Sequence, residues 1–169
     1  YTKKINRTFG IFVVIPTILS IVYFGFLASD VYVSESRYVV RTPEKGASSG
    51  LGMFLASEGF ASASEEAHAA KSFVESRGAL VAINKGGAFE KAYTRPAISQ
   101  LDRFGGFGLG TTFEHLYKYY MNHVLVETDV VTSISTLTVD AYTAEDAFRI
   151  NEQLLDMAEQ AVNRMNPPR

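Results

Sequence analysis

The hydrophobic pattern divides the chain into one long apolar run followed by segments of shorter period. Phe9 to Ala28, FGIFVVIPTILSIVYFGFLA, carries no charged side chain. Twenty residues at about 1.5 Å each make a helix of roughly 30 Å, the thickness of a bilayer's hydrocarbon core. This length favours a membrane span over a secretory signal, whose apolar region is about 7 to 15 residues and ends at a small-residue cleavage site. It also favours a span over the buried helix of a soluble core. Pro16 removes a backbone hydrogen bond inside the run and is expected to kink it. Gly25 and Ser29 form a small-xxx-small pair, a candidate contact with another membrane helix.

Beyond the run the periods shorten. Val31 to Thr42, VYVSESRYVVRT, is β-branched and aromatic, stops at Pro43 and predicts a strand leaving the membrane. Glu44 to Ser64 turns to Gly, Ala and Ser around an apolar island of Leu51, Met53, Phe54, Leu55 and Phe60. The island is expected to pack against protein, in this subunit or a neighbour, with the membrane interface as the alternative. Ser62 and Glu65 have capping-box spacing, and Ala70, Phe73, Val74, Arg77, Leu80 and Val81 then recur at helical intervals up to Gly86-Gly87. That predicts one helix of about twenty residues.

Ala88 to Phe104, interrupted by Pro96, reads as short helical turns, and Gly105 to Gly110 as a flexible connector. Thr111 and Glu114 suit a second capping box, opening a helix with Phe113, Leu116, Tyr117, Tyr120 and Met121 on one face. Val124 to Val131 and Ile134 to Tyr142 predict a β-hairpin. Thr143 and Asp146 open a last helix with Ala147, Phe148, Leu154, Leu155, Ala158, Ala161, Val162 and Met165 along one stripe, stopped by Pro167-Pro168. The fold class is α+β: an N-terminal transmembrane helix, then a domain of antiparallel strands with helices on one side and a long C-terminal helix. The expected divisions are 1–8, 9–28 and 29–169.

Charge adds an orientation. The 169 residues carry 16 basic and 18 acidic side chains. Lys3, Lys4 and Arg7 precede the span, so the remainder holds 13 basic against 18 acidic, a net charge of −5. The basic excess before the span places the N-terminus in the cytoplasm and the main domain outside. The acidic balance argues against nucleic acid as a partner. Without cysteine there are neither disulfides nor thiolate metal ligands. A chain that starts on Tyr1 and stops at Asn-Pro-Pro-Arg reads as a piece of a longer protein.

Candidate chemistry is sparse. His68, His115 and His123 form no HExxH pattern, and neither a GxSxG elbow nor an SxxK pair occurs. The run GGFGLG lacks the Gly-Lys-Ser/Thr ending of a phosphate loop. Glu65-Glu66 and Glu145-Asp146 sit in first helical turns, where carboxylates complement the helix dipole. No catalytic set and no cofactor are expected. Arg37 and Arg41 are candidates for surface pairing or contact with an anionic ligand, and Tyr119, among the tyrosines 117, 119 and 120, for stacking on a sugar ring.

The exit segment ASDVYVSESRYVVRTP (Ala28 to Pro43), the helix with FVESRGAL (Phe73 to Leu80) and SISTLTVDAYTAEDAFRINEQLLDMAEQAVNRMN (Ser133 to Asn166) together carry a resemblance. The most specific positions are Ala141, Tyr142, Thr143, Asp146, Ala147, Asn151, Leu154, Leu155 and Asn163. From Phe9 onward the chain resembles the capsule polysaccharide export inner-membrane proteins of the KpsE, BexC and CtrB type. These are polysaccharide co-polymerase relatives that share the membrane-proximal domain of the Wzz chain-length regulators. The resemblance implies a non-enzymatic homo-oligomer in a Gram-negative inner membrane with a Wzz-like periplasmic domain. It implies as partners the membrane and ATPase subunits of an ABC transporter, an outer-membrane polysaccharide export protein and capsular polysaccharide. It further implies a coiled coil and a second span that are absent from this sequence. A Wzz-type regulator of chain length and the extracytoplasmic sensor domain of a receptor are the alternatives.

Overall fold

Helix α1 occupies Gly10–Leu27, and none of it is buried against the rest of the chain. Its first and last turns, Gly10–Val14 and Tyr23–Leu27, are wide turns of the i→i+5 kind around a regular α-helical centre, Ile15–Val22. Pro16 lies directly after the first wide turn, where a missing N–H and a bulky ring are most easily absorbed. The Thr17 hydroxyl donates to the Val13 carbonyl at 2.6 Å. Ala28 then turns extended and closes the helix by donating its N–H to the Tyr23 carbonyl at 2.9 Å. A computed structural model describes residues 10–39, 67–129, 132 and 134–165. Arg41, the apolar island Leu51, Met53, Phe54, Leu55 and Phe60, and the Ser62/Glu65 box lie outside the described residues.

Strand β1 (Tyr32–Val39) follows the apolar helix and pairs antiparallel with β3 (Ile134–Ala141), more than ninety residues later. β3 also pairs antiparallel with β2 (Val124–Asp129), so the sheet order is β1-β3-β2. The expected hairpin is β2 and β3, with β1 added along β3. Register places Ser34 opposite Val139 and Ser36 opposite Leu137, with Val126 on the other side of Leu137. Along β3, Ser135, Leu137, Val139 and Ala141 point inward and are buried, the period-two signature of a sheet covered on one face.

The helices form the covering layer. The residues 67–74 make α2, followed by α3 (Arg77–Ile83), α4 (Ala88–Tyr93), α5 (Phe113–His123) and α6 (Ala144–Met165). The single helix expected up to Gly86-Gly87 is in fact two. Ser76 takes extended backbone angles (φ −84°, ψ 154°), and its hydroxyl accepts from the Ala79 N–H at 3.2 Å, starting a new helix. The break shifts the helical phase: Ala79, Leu80 and Ile83 are buried, while Val81, expected inside, is 57% exposed.

Two further expectations change in detail. α5 is capped by Thr112, whose hydroxyl accepts from the His115 N–H, and not by the Thr111/Glu114 box. Glu114 pairs with Arg77 instead, at 2.8 Å. Of the face expected on α5, Leu116 and Tyr120 are buried, whereas Phe113 and Met121 are exposed. α6 opens where Thr143 and Asp146 are expected to start it: the Thr143 hydroxyl accepts from the Asp146 N–H at 3.2 Å and donates to the Asp146 carboxylate at 2.7 Å. Its inward stripe is Ala147, Ile150, Leu154 and Ala158, spaced three and four residues apart. Phe148, one residue and about 100° off that stripe, is 61% exposed.

Candidate functional site

The described structure concentrates its polar construction where α1 meets the domain. Ser29, two residues beyond the helix, is held on both sides. Its hydroxyl accepts from the Ser99 N–H at 2.8 Å, and its own N–H donates to the Asp102 carboxylate at 3.2 Å. The Asp102 carbonyl in turn accepts from the hydroxyls of Tyr119 (2.6 Å) and Tyr142 (3.1 Å). A short chain of contacts thus runs from the end of α1 through the 99–102 turn to α5 and to the end of β3. Beside it opens a cleft of about 600 Å3, lined by Phe26, Leu27 and Asp30 on one side and by Arg95, Gln100 and Thr143 on the other.

Aromatic rings stand behind this junction. Tyr93 is buried and donates its hydroxyl to the Asp140 carbonyl at 2.6 Å. Its ring meets Phe89, Tyr119, His123 and Tyr142 at centroid distances of 4.6 to 6.0 Å. His123 stacks on Tyr119 at 4.2 Å, and its Nδ1 lies 2.8 Å from the Tyr119 carbonyl. Burial pushes the His123 imidazole below its ordinary pKa, because an uncharged ring costs less to bury than an imidazolium. The carbonyl contact and the charge of Asp140 oppose that shift only in part. The hydroxyls of Tyr93, Tyr119 and Tyr142 are all held above the ordinary tyrosine value, chiefly by burial. These groups therefore stay neutral near pH 7 and act as hydrogen-bond donors, not as acids or bases.

One buried charge is built into the rim. Asp146 is 2% exposed and takes Arg95 on one carboxylate oxygen and Arg149 on the other, each at 2.7 Å. The sequence suggested only dipole complementation for this residue; the two guanidinium groups make it a cross-brace between the 95–98 turn and α6. Asn151 is another buried polar group. It donates to the carbonyls of Ser34 (2.8 Å) and Leu137 (3.1 Å) and accepts from the Ser36 hydroxyl (2.5 Å). Asn151 therefore joins α6 to β1 and β3 at once.

The residues singled out from sequence fall in different places. Pro16 and Gly25 lie on α1, with open space where a Gly25 side chain would project. Ser29 is turned into the domain junction, a role that its small size alone did not signal. Arg37 is exposed on the outward face of β1 and pairs with Glu35 at 2.7 Å. Tyr119 is half-buried, with its hydroxyl on Asp102 and one ring face against His123, so Arg37 and Tyr119 do not share a site. The outward face of the sheet, with Val33, Arg37, Val39, Leu125 and Ile134, carries no covering layer among the described residues. No group of three or more His, Asp or Glu able to hold a metal occurs among the described residues.

No protein-family model matches the chain. It is 41% identical over 167 residues to the capsule polysaccharide export inner-membrane protein BexC of Haemophilus influenzae, covering 98% of this chain and 44% of that protein. To CtrB of Neisseria meningitidis, named likewise, it is 38% identical over 98% of the chain and 43% of the relative. To KpsE of Escherichia coli it is 25% identical over 158 residues, 92% of the chain and 40% of the relative. The chain spans less than half the length of these curated relatives. Over nearly all of its own length, this apolar helix with its attached α+β domain is a homologue of the capsule polysaccharide export inner-membrane proteins.

Proposed function

We propose that the chain is the membrane-proximal part of a non-enzymatic inner-membrane component of capsular polysaccharide export. α1 spans the membrane with the N-terminus in the cytoplasm, and the α+β domain, Wzz-like in architecture, stands in the periplasm. Copies assemble beside or around the ABC transporter and link it to the outer-membrane export protein, and the transporter's ATPase supplies the energy. The observation that carries this reading is the continuous match, across 98% of the chain, between an unburied apolar helix plus its α+β domain and proteins named for that role. The clamp of Ser29 onto Ser99 and Asp102 supports it, because it fixes the domain's orientation at the point where the chain enters the bilayer.

The test is co-expression with the transporter subunits, purification in mild detergent and sizing of the complex. A large oligomer that co-purifies with the transporter and has no ATPase activity of its own is the expected outcome. A monomer that leaves the transporter behind overturns the assembly. Gly25→Leu is a clean probe of the helix contact, because no described residue of this chain lies within 4 Å of the added Cβ. A smaller or looser oligomer is expected. Ser29→Leu also removes the clamp to Ser99, so it reports on both features together.

A further inference from the structure

The turn that holds Ser29 continues into a glycine-rich loop whose exposed side chains are apolar. Leu101, Phe107 and Leu109 are 58%, 69% and 72% exposed. Three exposed large apolar residues within nine positions of one loop form the kind of patch that marks a contact. The loop is built to hold them there. Phe107 alone among the described non-glycine residues has positive φ (55°), flanked by Gly105, Gly108 and Gly110, also at positive φ. Gly106 lies so close to Gln100 that a Cβ would meet its carbonyl oxygen at 1.9 Å, and the Gln100 side chain accepts from the Phe107 N–H at 3.3 Å. A left-handed bulky residue persists only when its surroundings enforce it, and Phe107 is enforced with its ring in solvent.

Its position relative to the membrane helix follows from contacts already described. Gln100 lies between Ser99 and Asp102, which grip Ser29, and it lines the junction cleft together with Phe26 and Leu27 at the end of α1. The same Gln100 lines a second hollow on its other side with Phe107, Leu109, Arg103 and Lys118. The apolar tip thus adjoins the end of the membrane helix, with two cations next to it. Apolar side chains flanked by Lys and Arg match the boundary between acyl chains and phosphate headgroups.

We propose that this loop is a second membrane-contacting element: Leu101, Phe107 and Leu109 dip into the leaflet at which α1 emerges, and Arg103 and Lys118 face its lipid phosphates. The proposal rests on the reading of α1 as a membrane span. The loop and α1 would then hold the domain at two points on the bilayer, which fixes its tilt as well as its height.

The absence of tryptophan from the sequence makes the test direct. Single-tryptophan variants Leu109→Trp, Leu101→Trp, Leu19→Trp and Asn163→Trp are reconstituted in phosphatidylethanolamine/phosphatidylglycerol vesicles carrying nitroxides at shallow or deep acyl positions. Leu19 is in mid-α1, and Asn163 is exposed near the far end of α6, about 30 Å along the helix from Thr143. The expected result is loss of emission with shallow nitroxides and a blue-shifted maximum for Leu109→Trp and Leu101→Trp, loss with deep nitroxides for Leu19→Trp, and neither for Asn163→Trp. Quenching of Leu19→Trp with both loop probes unquenched overturns the loop contact and leaves the membrane span intact. An unquenched Leu19→Trp overturns the span and the proposal with it. Equal quenching of Asn163→Trp also overturns the proposal, because the contact would then be general adsorption.

Discussion

Replacing Asn151 by Leu keeps the branched shape of the side chain and removes the three hydrogen bonds by which Asn151 ties α6 to the two strands beneath it. Asn151 is 1% exposed and its partners Ser34 and Ser36 are half-buried, so water replaces only part of what is lost. The Ser34 and Leu137 carbonyls lose a donor each and the Ser36 hydroxyl loses its acceptor. At about 1 kcal/mol net for each bond, and more where a buried group is left unpaired, the change costs about 3 kcal/mol. With a urea slope of about 2 kcal/mol/M, the unfolding midpoint falls by about 1.5 M. The assay is urea unfolding of the chain in non-ionic detergent, followed by tyrosine fluorescence and far-ultraviolet circular dichroism, with exposed Asn163→Ala as the control. A double-mutant cycle with Ser36→Ala isolates the 2.5 Å bond and is expected to give coupling of about 1 kcal/mol. An Asn151→Leu midpoint within about 0.3 M of the parent, under 1 kcal/mol on the same slope, refutes the idea that this network joins the layers.

Three further outcomes are expected. Gly106→Ala forces a Cβ against the Gln100 carbonyl and costs at least about 2 kcal/mol, whereas Gly108→Ala, at φ +71° with open space around it, costs about 1 kcal/mol; thermal melts of the two variants should rank in that order. Asp146→Asn leaves Arg95 and Arg149 facing a neutral amide and weakens the α6 cap; since both arginines stay near half-exposed, the loss is about 2 kcal/mol by urea titration, and the double change Arg95→Gln/Arg149→Gln is expected to cost more than either single change. Burial lowers the His123 pKa, so the unfolded chain takes up its proton first as the pH falls through 6.5. Stability due to the neutral ring is present above that value and declines below it, and His123→Gln should flatten the fall in melting temperature between about pH 7.5 and 5.5.

The parts of the fold that could be read from the chain are those whose information is local. The apolar run, the β2–β3 hairpin and the Thr143/Asp146 cap depend on spacing over a few residues, and the structure has them where the pattern put them. The break at Ser76 had a competing local signal, since Ala70 to Leu80 keeps helical period straight through it. What stabilises the break comes from elsewhere: the carbonyls of Val74 and Glu75, at the break, accept the hydroxyls of Tyr120 and Tyr117 from α5. Partners more than forty residues away leave no trace in a short window. The pairing of β1 with β3 and the reach of Asn151 to Ser34 are longer still. Asn151 did carry a weak signal, a polar residue between Ala147 and Leu154 on the buried stripe, which predicts a satisfied buried amide but not its partners. Ser29 read as a small residue for helix packing because its hydroxyl's use depends on a turn seventy residues later.

The pairing of Tyr32 with Ala141 has a mechanical consequence. β1 rises from the end of α1, β3 descends beside it, and α6 rises again, so the two chain ends that leave the sheet, one toward α1 and one toward α6, depart from the same rung. Tension between α1 and the far end of α6 therefore enters the ladder at Tyr32–Ala141 and acts to peel β1 from β3 one rung at a time, the weakest way to load a sheet. What resists peeling is the lateral grip of α6 on both strands, and its tightest point is Asn151 against Ser34 and Ser36. A pulling experiment should find the yield force of the domain set at that grip and lowered by Asn151→Leu far more than by any change on the outward face of the sheet.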